Sequence, residues 1–171
     1  MKTKLGELNT SETARFVEVC GPLFERSPWI AERTVARRPF DNRDALHSAL
    51  CETVTQAAVD EQLTLIRAHP DLVGWAALAG TLTSESTREQ AAAGLSGLAA
   101  DDVRRFTEYN AAYWAKFDFP FVICARENKK DAILAAFPVR LANTREQEIR
   151  TALDEIAKIA RLRLYDAVEE G

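Results

Sequence analysis

The sequence predicts an all-α protein: one domain over residues 1–171, a multi-helix bundle of about seven to nine helices with a single short extended segment, Phe119-Pro-Phe-Val-Ile123. Three observations carry this reading. Apolar residues recur at helical intervals through most of the chain, capping signals divide those stretches, and only Phe117 to Cys124 reads as extended, with no second strand to pair with it. At 171 residues the chain can bury a real core without disulfides or metals.

Taken in order, Asn9 to Glu12 has capping-box spacing ahead of Phe16, Val19 and Cys20, and Gly21-Pro22 ends that helix. Ser27 as N-cap and Pro28 as first helical residue open the next, which Arg38-Pro39-Phe40 breaks. Asp41 caps a helix whose inner face is Leu46, Ala49, Leu50, Thr53 and Val54. A helix from about Val59 to Ala68 stops at His69, because a residue before proline is pushed out of the helical region. From Asp71 to Glu85 the chain is loop or short helix, anchored by Trp75 and Leu78. Ser86 to Glu89 reads as a second capping box, and Asp101-Asp102 starts a longer helix through Phe106, Asn110, Tyr113 and Trp114. Asn128 begins a helix interrupted at Pro138. Thr144-x-x-Gln147 caps the last and longest helix, to about Val168.

Composition narrows the function. The net charge is −4 with scattered Lys and Arg, which points away from nucleic acid, and no apolar run approaches the about 20 residues needed to span a membrane. Cys20, Cys51 and Cys124 are widely separated, no CxxC occurs and no secretory pattern opens the chain, so reduced cysteines in a cytoplasmic protein are expected. No motif for a metal, nucleotide or nucleophile elbow is present. If the chain is an enzyme, it is expected to work without metal or cofactor, by acid–base and electrostatic means.

Two groups are candidates for that chemistry. His69 sits at a helix end, where the dipole favours a proton on the ring, with Pro70 fixing the backbone. Glu89 has two readings: a capping residue reaching back to Ser86, or a carboxylate that works with His69. Ser86, Gln90 and the amides of that helix N-terminus form donors suited to an anionic or carbonyl-rich ligand. In the last helix, Ile149, Leu153, Ile156, Ala160 and Ala167 mark a buried stripe, and Arg163 lies on it, whereas Arg161 faces the other way. A buried arginine needs an anion, either an internal carboxylate such as Glu89 or the carboxylate of a ligand. Replacing Arg163 by Met is expected to keep or raise stability, because an apolar stem of similar length takes the place of a buried charge, and to lose substrate binding.

The motifs together resemble the 2-oxo-4-hydroxy-4-carboxy-5-ureidoimidazoline (OHCU) decarboxylase family. The matching stretches are Ser27-Pro28-Trp29, Arg38-Pro39-Phe40, Ala68-His69-Pro70-Asp71-Leu72 and Ser86-x-x-Glu89-Gln90-x-x-x-Gly94-Leu95. They continue with Asn110-x-x-Tyr113, Lys116-Phe117-x-Phe119-Pro120-Phe121-Val122-Ile123, Arg140-Leu141-x-Asn143 and Ile159-x-x-Leu162-Arg163-Leu164. Asp118 departs from the pattern, standing where glycine is common.

The resemblance implies an all-helical, cofactor-free homodimer that turns OHCU, a small-molecule substrate, into (S)-allantoin in urate degradation. It also implies His69 as the catalytic acid–base group, Glu89 in support, and Arg163 as a substrate ligand. Pro70, Ser86, Gln90 and the backbone of Phe121, Val122, Ile123, Cys124 and Ala125 would line the pocket. The alternative from the residues alone is a non-enzymatic helical module that binds an anionic ligand or partner through Arg163.

Overall fold

The structure, a computed structural model, describes residues 1–74 and 80–171. The anchors expected at Trp75 and Leu78 lie outside the described residues. The described chain is mainly helical, and its contacts form two compact units: Met1–Ala68 with Ala157–Gly171, and His69–Ile156.

The first unit holds α1 (Leu5–Thr10), α2 (Thr13–Cys20), α3 (Trp29–Thr34), α4 (Arg43–Gln56) and α5 (Val59–Ala68). A short parallel pair, β1 (Thr3–Lys4) with β2 (Val168–Glu169), brings the two chain ends together in register Thr3↔Val168. No pattern in two residues could have announced it. Leu8, Phe16, Ile30, Leu46 and Leu50 are fully buried and form the core.

Three expected caps move. Asn9 lies inside α1, and its amide brackets Phe40: Nδ2 donates to the Phe40 carbonyl at 2.9 Å and Oδ1 accepts from its N–H at 2.8 Å. Burial of Leu5 and Leu8 draws residues before Thr10 into a helix of their own, so α2 starts only after Glu12. Ser27 turns its hydroxyl to the Glu25 carbonyl at 2.8 Å, which leaves Pro28 as the N-cap of α3. At α4 the cap is Asn42, not Asp41, with Oδ1 accepting from Ala45 N–H at 2.8 Å. The end of α5 at Ala68 is as the proline predicts.

The second unit contains α6 (Ser84–Ala92), α7 (Ala100–Phe117), a 3-10 turn (Ala125–Glu127), α8 (Lys130–Leu141) and the part of α9 (Arg145–Ala167) up to Ile156. Its core is aromatic: Phe121 stacks on Phe137 with centroids 3.9 Å apart, and Tyr113 meets Phe119 and Phe121 edge to face. Asp118 ends α7 at φ 61°, ψ 33°, its N–H donating to the Trp114 carbonyl at 2.9 Å. Left-handed geometry explains why glycine suits that position and why aspartate, among the residues that tolerate it, can stand there.

Pro138 does not interrupt α8, which runs on to Leu141 because Phe137 and Arg140 on either side are anchored in the core. The capping box of α9 is reciprocal, as expected: Gln147 N–H donates to the Thr144 hydroxyl at 3.2 Å, and Thr144 N–H donates to the Gln147 side chain at 2.8 Å. The buried stripe of α9 is rotated slightly from the expected one. Glu148, Ala152, Ile156, Ile159, Ala160, Arg163 and Leu164 are buried, whereas Ile149, Leu153 and Ala167 are half-buried. A purely apolar pattern could not see Glu148, which is wholly enclosed because Arg140 (2.7 Å), Tyr113 (2.5 Å) and Asn143 (3.0 Å) all donate to it.

Candidate active site

The chain leaves α5 and enters the second unit at His69, which is 7% exposed with its Nε2 nitrogen shut off from solvent. The residues that follow are held by side chains. Asp71 accepts from Trp114 Nε1 at 2.9 Å, the Leu72 carbonyl from Asn110 Nδ2 at 2.9 Å, and Val73 donates its N–H to Gln90 Oε1 at 3.2 Å. Burial holds the Asp71 carboxyl above the ordinary aspartate range, and the Trp114 bond offsets part of that rise.

Helix α6 begins earlier than the sequence pattern indicates. Thr83 is its N-cap, accepting from Ser86 N–H at 3.2 Å, so Ser86 lies within the first turn and the Ser86–Glu89 capping box does not form. Thr83 wins because a helix starting at Ser84 buries both Ser86 and Gln90 on its inner face. Glu89 is left half-buried one turn further on, without the capping role. The Val73 N–H dictates which way the Gln90 amide faces, since only Oε1 can accept from it. Loop and helix are thereby joined four residues from His69.

Helix α6 also packs on the Ala125–Glu127 turn. Phe121, Val122, Ile123, Cys124 and Ala125 are all buried. Their backbone needs are met in part from within: Arg140 donates to the Val122 carbonyl at 2.5 Å, Cys124 N–H donates to Glu155 at 3.0 Å, and Asn128 donates to the Cys124 carbonyl at 3.0 Å. Burial above all, with the carboxylates of Glu127, Glu155 and Glu89 adding to it, pushes the Cys124 thiol up to about 11. That thiol is protonated at neutral pH, unlike an activated nucleophile. Burial does the same to Cys20, up to about 12, and to Cys51, up to about 11. Among the described residues, no group of His, Cys, Asp and Glu could hold a metal ion.

Arg163 belongs to the first unit. It is 6% exposed, as the stripe requires, while Arg161 is exposed and pairs with Asp44 at 3.2 Å. Its carboxylate partner there is Glu25, at 3.0 Å and itself buried, and Nη1 donates to the Pro22 carbonyl at 3.2 Å. Glu25 had no sequence signal linking it to position 163. Sequence reasoning gave Asn110 no site role beyond its place in the Asn110-x-x-Tyr113 stretch, although a polar residue on the apolar stripe of Phe106, Tyr113 and Phe117 is the kind of anomaly that exposed Arg163.

Fold and site together define a helical protein whose second unit holds a buried histidine at a helix end, on a loop tied through Gln90 to the helix of Ser86 and Glu89. Residues 9–165 match the family model described as OHCU decarboxylase. The chain belongs to that family. It is 40% identical over 163 residues to 2-oxo-4-hydroxy-4-carboxy-5-ureidoimidazoline decarboxylase of Amia calva, covering 95% of this chain and 93% of that protein. It is 37% identical to the uric acid degradation bifunctional protein PucL of Bacillus subtilis, covering 97% of this chain but 33% of that one. Among solved structures, (S)-allantoin synthase superposes with a TM-score of 0.77 at 26% identity, over 98% of this chain and 54% of the other. The crystal structure of OHCU decarboxylase in the presence of (S)-allantoin has the same fold, with a TM-score of 0.69 at 24% identity, over 91% and 97% of the two chains.

Proposed function

We propose that this chain, acting as one domain over 1–171, decarboxylates OHCU to (S)-allantoin in urate degradation, without metal or cofactor. Family membership supports the reaction, and the observation that carries the site is the buried His69 on a loop tied through Gln90 to the helix of Ser86 and Glu89. In this substrate the departing carboxylate sits on a ring carbon beside a C=N bond. As CO2 leaves, the electron pair of the breaking C–C bond moves toward that C=N, so the substrate is its own electron sink. A proton must then reach one face of the ring.

His69 moves that proton, with Glu89 in support. Pro70, Ser86, Gln90 and the Phe121–Ala125 segment hold the heterocycle, and Arg163 binds its anionic group. Gln90 suits this role because the Val73 bond occupies its Oε1 and leaves the NH2 group as donor. The Glu25 partner of Arg163 keeps the guanidinium oriented, although it also supplies charge balance without a ligand. The test is to generate the substrate from urate with the upstream enzymes and to follow circular dichroism as (S)-allantoin forms. No acceleration over the uncatalysed decay would leave the non-enzymatic binding module as the reading.

We further propose a cytoplasmic homodimer. The family resemblance supports the dimer, as does an outward apolar stripe on α8 that includes Ala132, Ala135 and Val139, the last 67% exposed. Three unpaired thiols fit a reducing compartment, and no described helix is long and apolar enough to cross a membrane.

A further inference from the structure

We propose that Asn110 and Trp114 are positioning residues for His69: one face of α7 holds the turn Asp71–Gly74 and so sets the direction of the histidine ring. The claim rests on the proposed function for its effect on turnover and on geometry for the rest. Pro70 restricts the backbone at His69, so the path of the chain through the next four residues governs where the ring lies.

That turn is held partly by its own backbone and partly by side chains from elsewhere in the chain. Gly74 N–H donates to the Asp71 carbonyl at 3.3 Å, and a Cβ on Gly74 would lie 2.6 Å from the Asp71 Cβ, so it closes only with glycine there. Val73 sits at φ 53°, a left-handed conformation that β-branched residues avoid and that persists only where the surroundings impose it. Among the described residues, the surroundings include three side chains: Trp114 on Asp71, Asn110 on the Leu72 carbonyl, Gln90 on Val73. Asn110 and Trp114 are one helical turn apart, so a single rigid element fixes two consecutive residues of the turn. Asn110 is 5% exposed, and its buried Oδ1 accepts from none of the described residues. A polar side chain among Phe106, Tyr113 and Phe117 therefore serves the loop through Nδ2, while its other polar atom adds nothing to the core.

The test uses the full chain with Asn110→Leu, Trp114→Phe, Asp71→Asn and Asp71→Leu. The chain has two histidines, so ring NMR signals of His69 can be read with His47 as internal reference. In Asn110→Leu and Trp114→Phe, kcat is expected to fall about ten- to hundredfold with KM changed less than about threefold, the pattern of a misplaced reacting group. The His69 signals and their titration shift, and those of His47 stay. Asp71→Asn, which keeps an acceptor for Trp114, retains most of kcat, whereas Asp71→Leu falls with Trp114→Phe. Should Asn110→Leu not fold, Trp114→Phe, which keeps an aromatic ring, decides. Unmoved His69 signals with kcat within about twofold of the parent would overturn the proposal whatever happens to Tm. If the parent chain itself fails to turn over OHCU, the functional reading falls, and the His69 signals alone decide whether α7 positions the ring.

Discussion

Arg163 carries the clearest consequence of a single residue's surroundings. With Glu25 beside it at 3.0 Å, and 2% exposed, Arg163→Met removes the guanidinium that pairs with a buried carboxylate. The expectation that Met would keep or raise stability is therefore reversed: the single variant should lose about 3–5 kcal/mol. Arg163→Met with Glu25→Leu should regain much of that in thermal melts while kcat/KM stays low. Recovery of kcat/KM in the double variant would make Arg163 a structural partner only. Arg161→Ala, on the exposed face, should change both readouts little. For His69→Asn, a fold unchanged by circular dichroism and a turnover lower by at least about a hundredfold are expected; near-normal turnover would return His69 to a structural role. Asp71 supplies a pH signature. Because burial raises its folded-state pKa, the native chain holds that proton more tightly than the unfolded chain. Its contribution to stability is thus lost as pH rises from the ordinary aspartate range through the raised value. Denaturant melts should show Asp71→Asn gaining on the parent across that rise, since Asn cannot ionise; Asp71→Asn losing ground to the parent over the same range would refute the assignment.

The helix α6 shows how one hydroxyl sets the register of a site. With Thr83 as cap, Ser86, Glu89 and Gln90 fall on successive turns toward the buried side; a start at Ser86 would have given Glu89 to capping instead. Thr83→Ala should therefore cost about 1 kcal/mol of stability, the usual loss for an N-cap. Glu89→Gln should lower turnover without any loss of Tm from capping, because no capping box depends on it. A large fall in Tm with unaltered kcat would assign Glu89 to the scaffold. Helix α9 obeys the opposite logic. Thr144 and Gln147 close a local capping box that needs nothing from the rest of the chain, so sequence spacing alone located it.

For the molecule as a whole, activity is expected to survive strong chelators and exhaustive dialysis, because the substrate supplies its own electron sink. Restoration of lost activity by added Zn²⁺ or Mg²⁺ would refute the cofactor-free mechanism. Light scattering on the purified chain tests the dimer: a monomer mass at micromolar concentration, with full activity, would remove it.

The sequence by itself determined the helical class, the stop of α5 before Pro70, the capping box of α9 and the inward face at position 163. All of these are short-range matters of helical period and of what a residue's immediate neighbours permit. The motif order determined the family. Tertiary structure alone decided which carboxylate meets Arg163, since Glu25 lies 138 residues away and periodicity says nothing about partners. It decided that Thr83 and not Ser86 caps α6, because both carry suitable hydroxyls and burial of Ser86 and Gln90 breaks the tie. It decided, too, that Glu148 is enclosed and that Asn110 and Trp114 reach the loop after His69. A polar residue enters a core only where another part of the chain brings its partner, and that meeting is settled when the elements pack.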